Sequence, residues 1–164
     1  MTQDVLIEIN GAFGRLRLHR PRALHALNIA MCEAMLAALE DWRTDADIAA
    51  VMIDHAPSAD GDPKGARGFC AGGDIRMLAD SGAGDGAAAR AFFHTEYQLN
   101  HRLFAYAKPT VAFMDGVTMG GGVGIALPCR YRVARSEERR VGKEGRSRWS
   151  ADHQKQQGDC IHAD

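Results

Sequence analysis

Cysteines that could cooperate are missing. Cys32, Cys70, Cys129 and Cys160 are scattered singly through 164 residues, with no C-x-x-C spacing among them. A zinc knuckle and a disulfide framework are not expected on that ground, and the thiols read as reduced groups in a cytoplasm. A charge imbalance is missing too: 20 Lys and Arg stand against 21 Asp and Glu, a formal net charge of -1. Neither nucleic acid nor a membrane surface is therefore expected as a partner. No stretch approaches the roughly 18 consecutive apolar residues of a membrane span. The start, Met-Thr-Gln-Asp, lacks a basic segment ahead of an apolar run, so no export is implied. Absent as well are a G-x-G-x-x-G fingerprint, a P-loop ending in Lys-Ser or Lys-Thr, and a Ser-centred nucleophile elbow. No Ser, His, Asp set and no metal-spaced cluster of His and carboxylates stands out in the first 134 residues, so no metal is expected.

What is present is material for one ordinary α/β domain, 46% apolar and 25% charged. Val5 to Ile9 and Phe13 to Leu18 are short β-prone runs around Asn10-Gly11, which predicts a hairpin. Pro21 keeps His19-Arg20-Pro21-Arg22 out of a helix interior. From Asn28, a candidate N-cap, Ile29, Cys32, Leu36 and Leu39 fall at helical spacing, as do Met31, Met35 and Trp42. Ala49 to Asp54 has the length and apolarity of a strand, and the prolines and glycines between His55 and Gly68 predict a surface loop. Residues 79–89, rich in Gly, Ala and Asp, read as a mobile connection into a helix from about Ala87 to Ala107. On that helix Phe92, Leu99 and Leu103 share a face with Glu96. A carboxylate in that company either meets a polar ligand or escapes to a solvated rim. His94 and His101 occupy other faces and need no role.

Two glycine-rich turns carry the chemistry. GFCAGGDI, Gly68 to Ile75, runs from extended to helical with Asp74 placed as a cap. KPTVAFMDGVTMGGGVGIAL, Lys108 to Leu127, runs from a β-branched stretch through Asp115-Gly116 into three glycines and an apolar helix start. Each turn exposes backbone N-H groups where a helix begins, which suits an oxyanion, a phosphate or a close packing contact. Were both to face one cleft, two donors would converge on a single oxygen, as in the stabilisation of an attacked thioester or ester.

With HRPRALHAL (His19 to Leu27) and HTEYQLN (His94 to Asn100), these two motifs resemble the crotonase, or enoyl-CoA hydratase/isomerase, superfamily over residues 5 to about 134. Within it they are most similar to the 3-hydroxyisobutyryl-CoA hydrolases, thioester hydrolases of valine breakdown. The resemblance implies the N-terminal portion of a crotonase-like spiral of repeated ββα units. It implies an acyl-CoA substrate, with no cofactor beyond the CoA it carries, and a homo-oligomer in the intact family. Gly73 and Gly121 would supply the oxyanion-hole N-H groups. Glu96 would contact substrate, with Ala71, Asp74 and Gly121 beside it, and Ala23, Leu24 and Ala26 would lie along the adenine end of CoA. His25 stands where the family usually has Asn.

The departures narrow the reaction. Enoyl-CoA hydratases carry a glutamate shortly after the glycine triplet, where this chain has Gly124. The hydrolases instead place a nucleophilic or basic glutamate downstream in a Pro-Glu-Thr stretch, then an aspartate in Phe-Pro-Asp, and no proline follows Pro128 here. Between Arg135 and Asp164 the only large apolar residues are Val141, Trp149 and Ile161, while 13 of the 30 residues are charged. A segment so composed cannot offset its ordering entropy, so 1–134 is expected as a partial acyl-CoA domain and 135–164 as a disordered or loosely helical, non-native tail. RSEERRVGKEGRSRWS also resembles the conceptual translation of a sequencing adapter. A carboxylate-deficient chain of this kind is expected to be inactive, and without the family's C-terminal helices its assembly is not expected.

Overall fold

Asn10-Gly11 turns the chain back on itself. In the computed structural model, which describes residues 4–57, 68–135 and 160–162, β1 (Val5–Asn10) and β2 (Phe13–Leu18) form the antiparallel hairpin, Val5 opposite Leu18 and Asn10 opposite Phe13. Gly11 takes φ of 59°, which a side chain there would resist. Parallel strands extend the sheet from β2: β3 (Ala50–His55), β5 (Thr110–Asp115), β7 (Tyr131–Arg135) and β8 (Cys160–His162), in the order β1-β2-β3-β5-β7-β8. A separate two-stranded sheet joins β4 (Gly68–Cys70) to β6 (Val117–Thr118).

Helices cover one face of the large sheet. Leu16, Leu18, Val51, Ile53 and Ala112 point into that layer and are fully buried, while their neighbours Arg15, Arg17 and Asp54 meet in ion pairs on the other face. Helix α1 (Ile29–Thr44) lays Met31, Cys32, Met35, Leu39 and Trp42 on the apolar face. Its start is fixed as expected, by Asn28 Oδ1 accepting from Met31 N at 2.8 Å. Its end is held by Lys108 Nζ, which donates to the carbonyls of Trp42 and Asp45. A Cβ on Gly14 would overlap the Trp42 ring, so the glycine lets the indole lie directly on β2.

Two expectations need correction. The stretch 79–89 is mostly helical: α2 (Ile75–Gly82) runs to Gly82 and α3 (Ala87–Phe104) begins at Ala87. Ser81 Oγ accepts from Ala89 N and Asp85 Oδ1 from Ala87 N, both at 2.9 Å, so local caps order the short link between them. The second correction lies after Asp115, where the chain does not pass straight to a helix. It adds β6, and only then α4 (Gly121–Ala126). Most of the loop expected between His55 and Gly68, and most of the tail expected over 135–164, lie outside the described residues. Within that tail, 160–162 form a parallel strand along β7 rather than a helix.

Candidate functional site

The short sheet brings the two glycine turns together. Gly68 pairs with Val117 and Cys70 with Thr118, and Met119 N donates to Cys70 O at 3.0 Å. Gly72 and Gly120 both take positive φ, 100° and 48°. A Cβ on Gly72 would lie 3.2 Å from Met119 O and 3.5 Å from Gly121 N, so the turns touch backbone to backbone. Gly122 is pressed as closely against β4, where a Cβ would overlap the Cys70 carbonyl.

Several backbone donors and acceptors around both turns are already engaged. Leu27 bridges Gly73, its N-H going to Gly72 O at 2.7 Å and its carbonyl accepting from Asp74 N at 2.9 Å. Gly122 N reaches Met119 O at 2.8 Å and Gly124 N reaches Gly120 O at 3.0 Å. Among the described residues no acceptor faces Gly73 N-H or Gly121 N-H. Asp74 caps α2, its Oδ1 accepting from Arg76 N and Met77 N, while Oδ2 takes Arg20 at 2.9 Å. The Arg20 guanidinium holds that carboxyl below its ordinary range, and both its oxygens are engaged within the protein.

Glu96 is buried at 5% exposure rather than lifted to a rim, on the α3 face it shares with Phe92, Leu99 and Leu103. A Cβ on Gly121 would overlap Glu96 Oε1, so the carboxylate stands directly beside the unpaired N-H. Burial raises its pKa, and no cation pairs with it among the described residues. One turn further along α3, Asn100 Oδ1 is buried without a hydrogen-bond partner.

Ala23, Leu24 and Ala26 lie in a loop built on a single 3-10 turn, Pro21–Ala23. Leu24 O accepts from Ala71 N at 3.0 Å, which ties this loop to the first glycine turn. Leu24 is exposed and Ala26 buried. Arg20 braces the loop from below, donating to Ala26 O at 2.7 Å and meeting Asp74 and Asp4 with its other nitrogens. His25 is fully buried with φ of 55°, and Nδ1 accepts from Arg20 N at 3.0 Å. Burial, and then the neighbouring His55 and His19, hold its pKa down at about 4. Arg20, His25 and Asn100 were not singled out from sequence as site residues. Their roles depend on contacts distant in the chain, and only the family-atypical His25 left a trace.

His94 and His101 are on the surface as expected. Cys32, Cys70 and Cys129 are buried free thiols, pushed up by burial to about 12, 11 and 12. Among the described residues no group of three metal-ligating side chains exists, and no helix is long and apolar enough to cross a membrane. A cavity of about 950 Å³ opens between α1 and α3, lined by Arg43, His94, Tyr97, Arg102 and Tyr106, and neither glycine turn borders it.

The sequence profile of the family described as Enoyl-CoA hydratase/isomerase matches residues 13–141. The 3-hydroxyisobutyryl-CoA hydrolase, mitochondrial, of Danio rerio is 40% identical over 131 residues, 80% of this chain and 32% of that protein. Its Homo sapiens counterpart is 36% identical over 132 residues, again 80% and 32%. The chain thus spans about a third of the length of these relatives. Among solved structures, a carnitinyl-CoA dehydratase from Mycobacterium thermoresistibile superposes with a TM-score of 0.75 at 39% identity, over 82% of this chain and 37% of that one. An enoyl-CoA hydratase from Rhodobacter sphaeroides gives 0.71 at 42%, over 80% and 37%.

Proposed function

We propose a function from one premise: this chain belongs to the enoyl-CoA hydratase/isomerase family. Its site binds an acyl-CoA thioester, with the carbonyl oxygen between Gly73 N-H and Gly121 N-H and the acyl group running toward Glu96. The carrying observation is that these two N-H groups, on turns in direct contact, lack any acceptor among the described residues. Donors held ready for an oxyanion contribute roughly 2.7 to 4 kcal/mol each to acyl transfer. The 20–27 loop, pinned to Ala71 through Leu24, takes the adenine end of CoA.

The reaction is thioester hydrolysis of the 3-hydroxyisobutyryl-CoA hydrolase type. The relatives of that name support this reading, and Gly124 opposes hydration, for which a carboxylate would stand one turn past Gly121. Glu96 stands beside Gly121, and burial disfavours the charged form that would attack or activate water, while the Asp74 carboxylate next to Gly73 is engaged with Arg20 and the start of α2. The 164-residue chain therefore binds thioester with little turnover. Calorimetric titration with isobutyryl-CoA tests the first half: a measurable heat that Gly121→Val abolishes is expected, and no heat at millimolar ester refutes it. Thiol release assayed on the same protein tests the second, where rates near those of a full-length relative would overturn the reading. Hydration is the alternative that the 42% identity to an enoyl-CoA hydratase supports. Water addition to crotonyl-CoA by this chain would favour it.

A further inference from the structure

The space that Gly124 leaves open is occupied. A Cβ on Gly124 would sit 2.8 Å from Asn100 Nδ2, so the carboxamide of Asn100 rests where a side chain at 124 would begin. Gly124 follows Gly121 by three residues in α4, so both present the same side to α3, Glu96 against the first and Asn100 against the second. Glu96 and Asn100 are themselves one turn apart on α3. The result is a column of two polar ends running from the proposed oxyanion hole along α4. Its upper member is a buried carboxylate with no ion-pair partner among the described residues, and its lower member has a buried oxygen with no hydrogen-bond partner. An oxygen left unpaired in this way calls for a ligand that can satisfy it. A hydroxyl donates to an amide oxygen and accepts from an amide N-H, so it suits the carboxamide in either orientation. The three-residue rise of about 4.5 Å along α4 is the span from a thioester carbonyl to a substituent on its β-carbon.

We propose that Asn100 is a specificity-determining residue: its carboxamide, seated against Gly124, hydrogen-bonds a 3-hydroxyl on the acyl chain of a CoA thioester held at Gly73 and Gly121. The inference rests on the thioester-binding reading of the site and adds to it the residue that reads the acyl group. Gly124 enters as the partner that makes room, since a carboxylate there would displace the amide.

The test is a comparison of two esters differing only in that hydroxyl, 3-hydroxyisobutyryl-CoA and isobutyryl-CoA, titrated calorimetrically into the 164-residue chain. The hydroxy ester should bind about five- to tenfold tighter, the worth of one net hydrogen bond. Asn100→Leu should collapse that ratio toward one. Gly124→Ala should do the same by pushing the amide aside, and it carries the test should thermal melts reveal that Asn100→Leu does not fold. Equal affinity of the wild-type chain for both esters, or a variant that melts normally and keeps the full preference, overturns the assignment while leaving thioester binding standing. Failure of both esters to bind removes the thioester reading and the inference with it.

Discussion

Glu96 is held in surroundings that penalise its charge, and this fixes how the protein responds to pH. Its folded pKa lies above the unfolded value because of burial. The folded state therefore binds the proton more tightly, and this residue's contribution to stability is full at low pH and lost as pH rises through the raised value. Glu96→Gln should melt a few degrees higher than wild type at pH 8, with the gap closing as pH falls below the ordinary carboxylate range; an unchanged gap by scanning calorimetry would refute it. His25 acts in the opposite sense. A pKa lowered from 6.5 to about 4 leaves a stabilising contribution above 6.5 that disappears as pH falls through 4, worth about 3 kcal/mol in total. His25→Asn should flatten the stability profile between those limits, read by urea titrations at pH 7 and 4. Glu96 was legible in the sequence because 3.6-residue periodicity alone sets it among Phe92, Leu99 and Leu103. His25 was not, because its burial follows from the fold of a loop that has no periodicity to read.

At the scale of elements, short-range signals carried the sequence reading and long-range pairing did not. Asn28 announced the start of α1, and its removal is a clean measure of that cap: Asn28→Ala should cost about 1 kcal/mol in urea denaturation, through loss of the bond to Met31 N. The two residues of β6 could not be foreseen, since Val117 and Thr118 become a strand only because β4 lies alongside. The same pairing accounts for Gly122, whose bare α-carbon packs onto the Cys70 carbonyl. A backbone obstacle cannot swing away as a side chain can, so Gly122→Ala should destabilise by about 1 to 3 kcal/mol. A melting temperature equal to wild type would place the two elements further apart than described. The stretch 79–89 departs from expectation for a related reason: Gly, Ala and Asp predict a linker by composition, but Ser81 and Asp85 accept from the first turn of α3, which composition does not weigh.

Across the whole molecule, Arg20 links parts that the chain keeps distant: the entry to β1 at Asp4, the 20–27 loop at Ala26 and the α2 cap at Asp74. Arg20→Gln should lower thioester affinity about tenfold and stability by roughly 1 to 3 kcal/mol, measured by calorimetric titration and urea denaturation. Loss of stability with unchanged affinity would confine Arg20 to the scaffold. The sequence made the β1–β2 hairpin, helix α1 and the glycine turns readable, because hairpin, helix and turn chemistry are all local. It left this clasp unread, since nothing in HRPRALHAL says which carboxylate Arg20 will meet. The β4–β6 pair has one further consequence, and it concerns time. Gly68 must find Val117 across all of α2, α3 and β5, and the reward is a sheet of only two very short strands. Contacts of such sequence separation bear a large closure cost before they return anything. The two turns should therefore meet late in folding and part early in local opening. In hydrogen-exchange measurements the Met119 amide, bonded across that seam, should exchange well ahead of the β2 and β3 amides. The region that would meet a substrate is thus the last of the molecule to be born and the first to breathe.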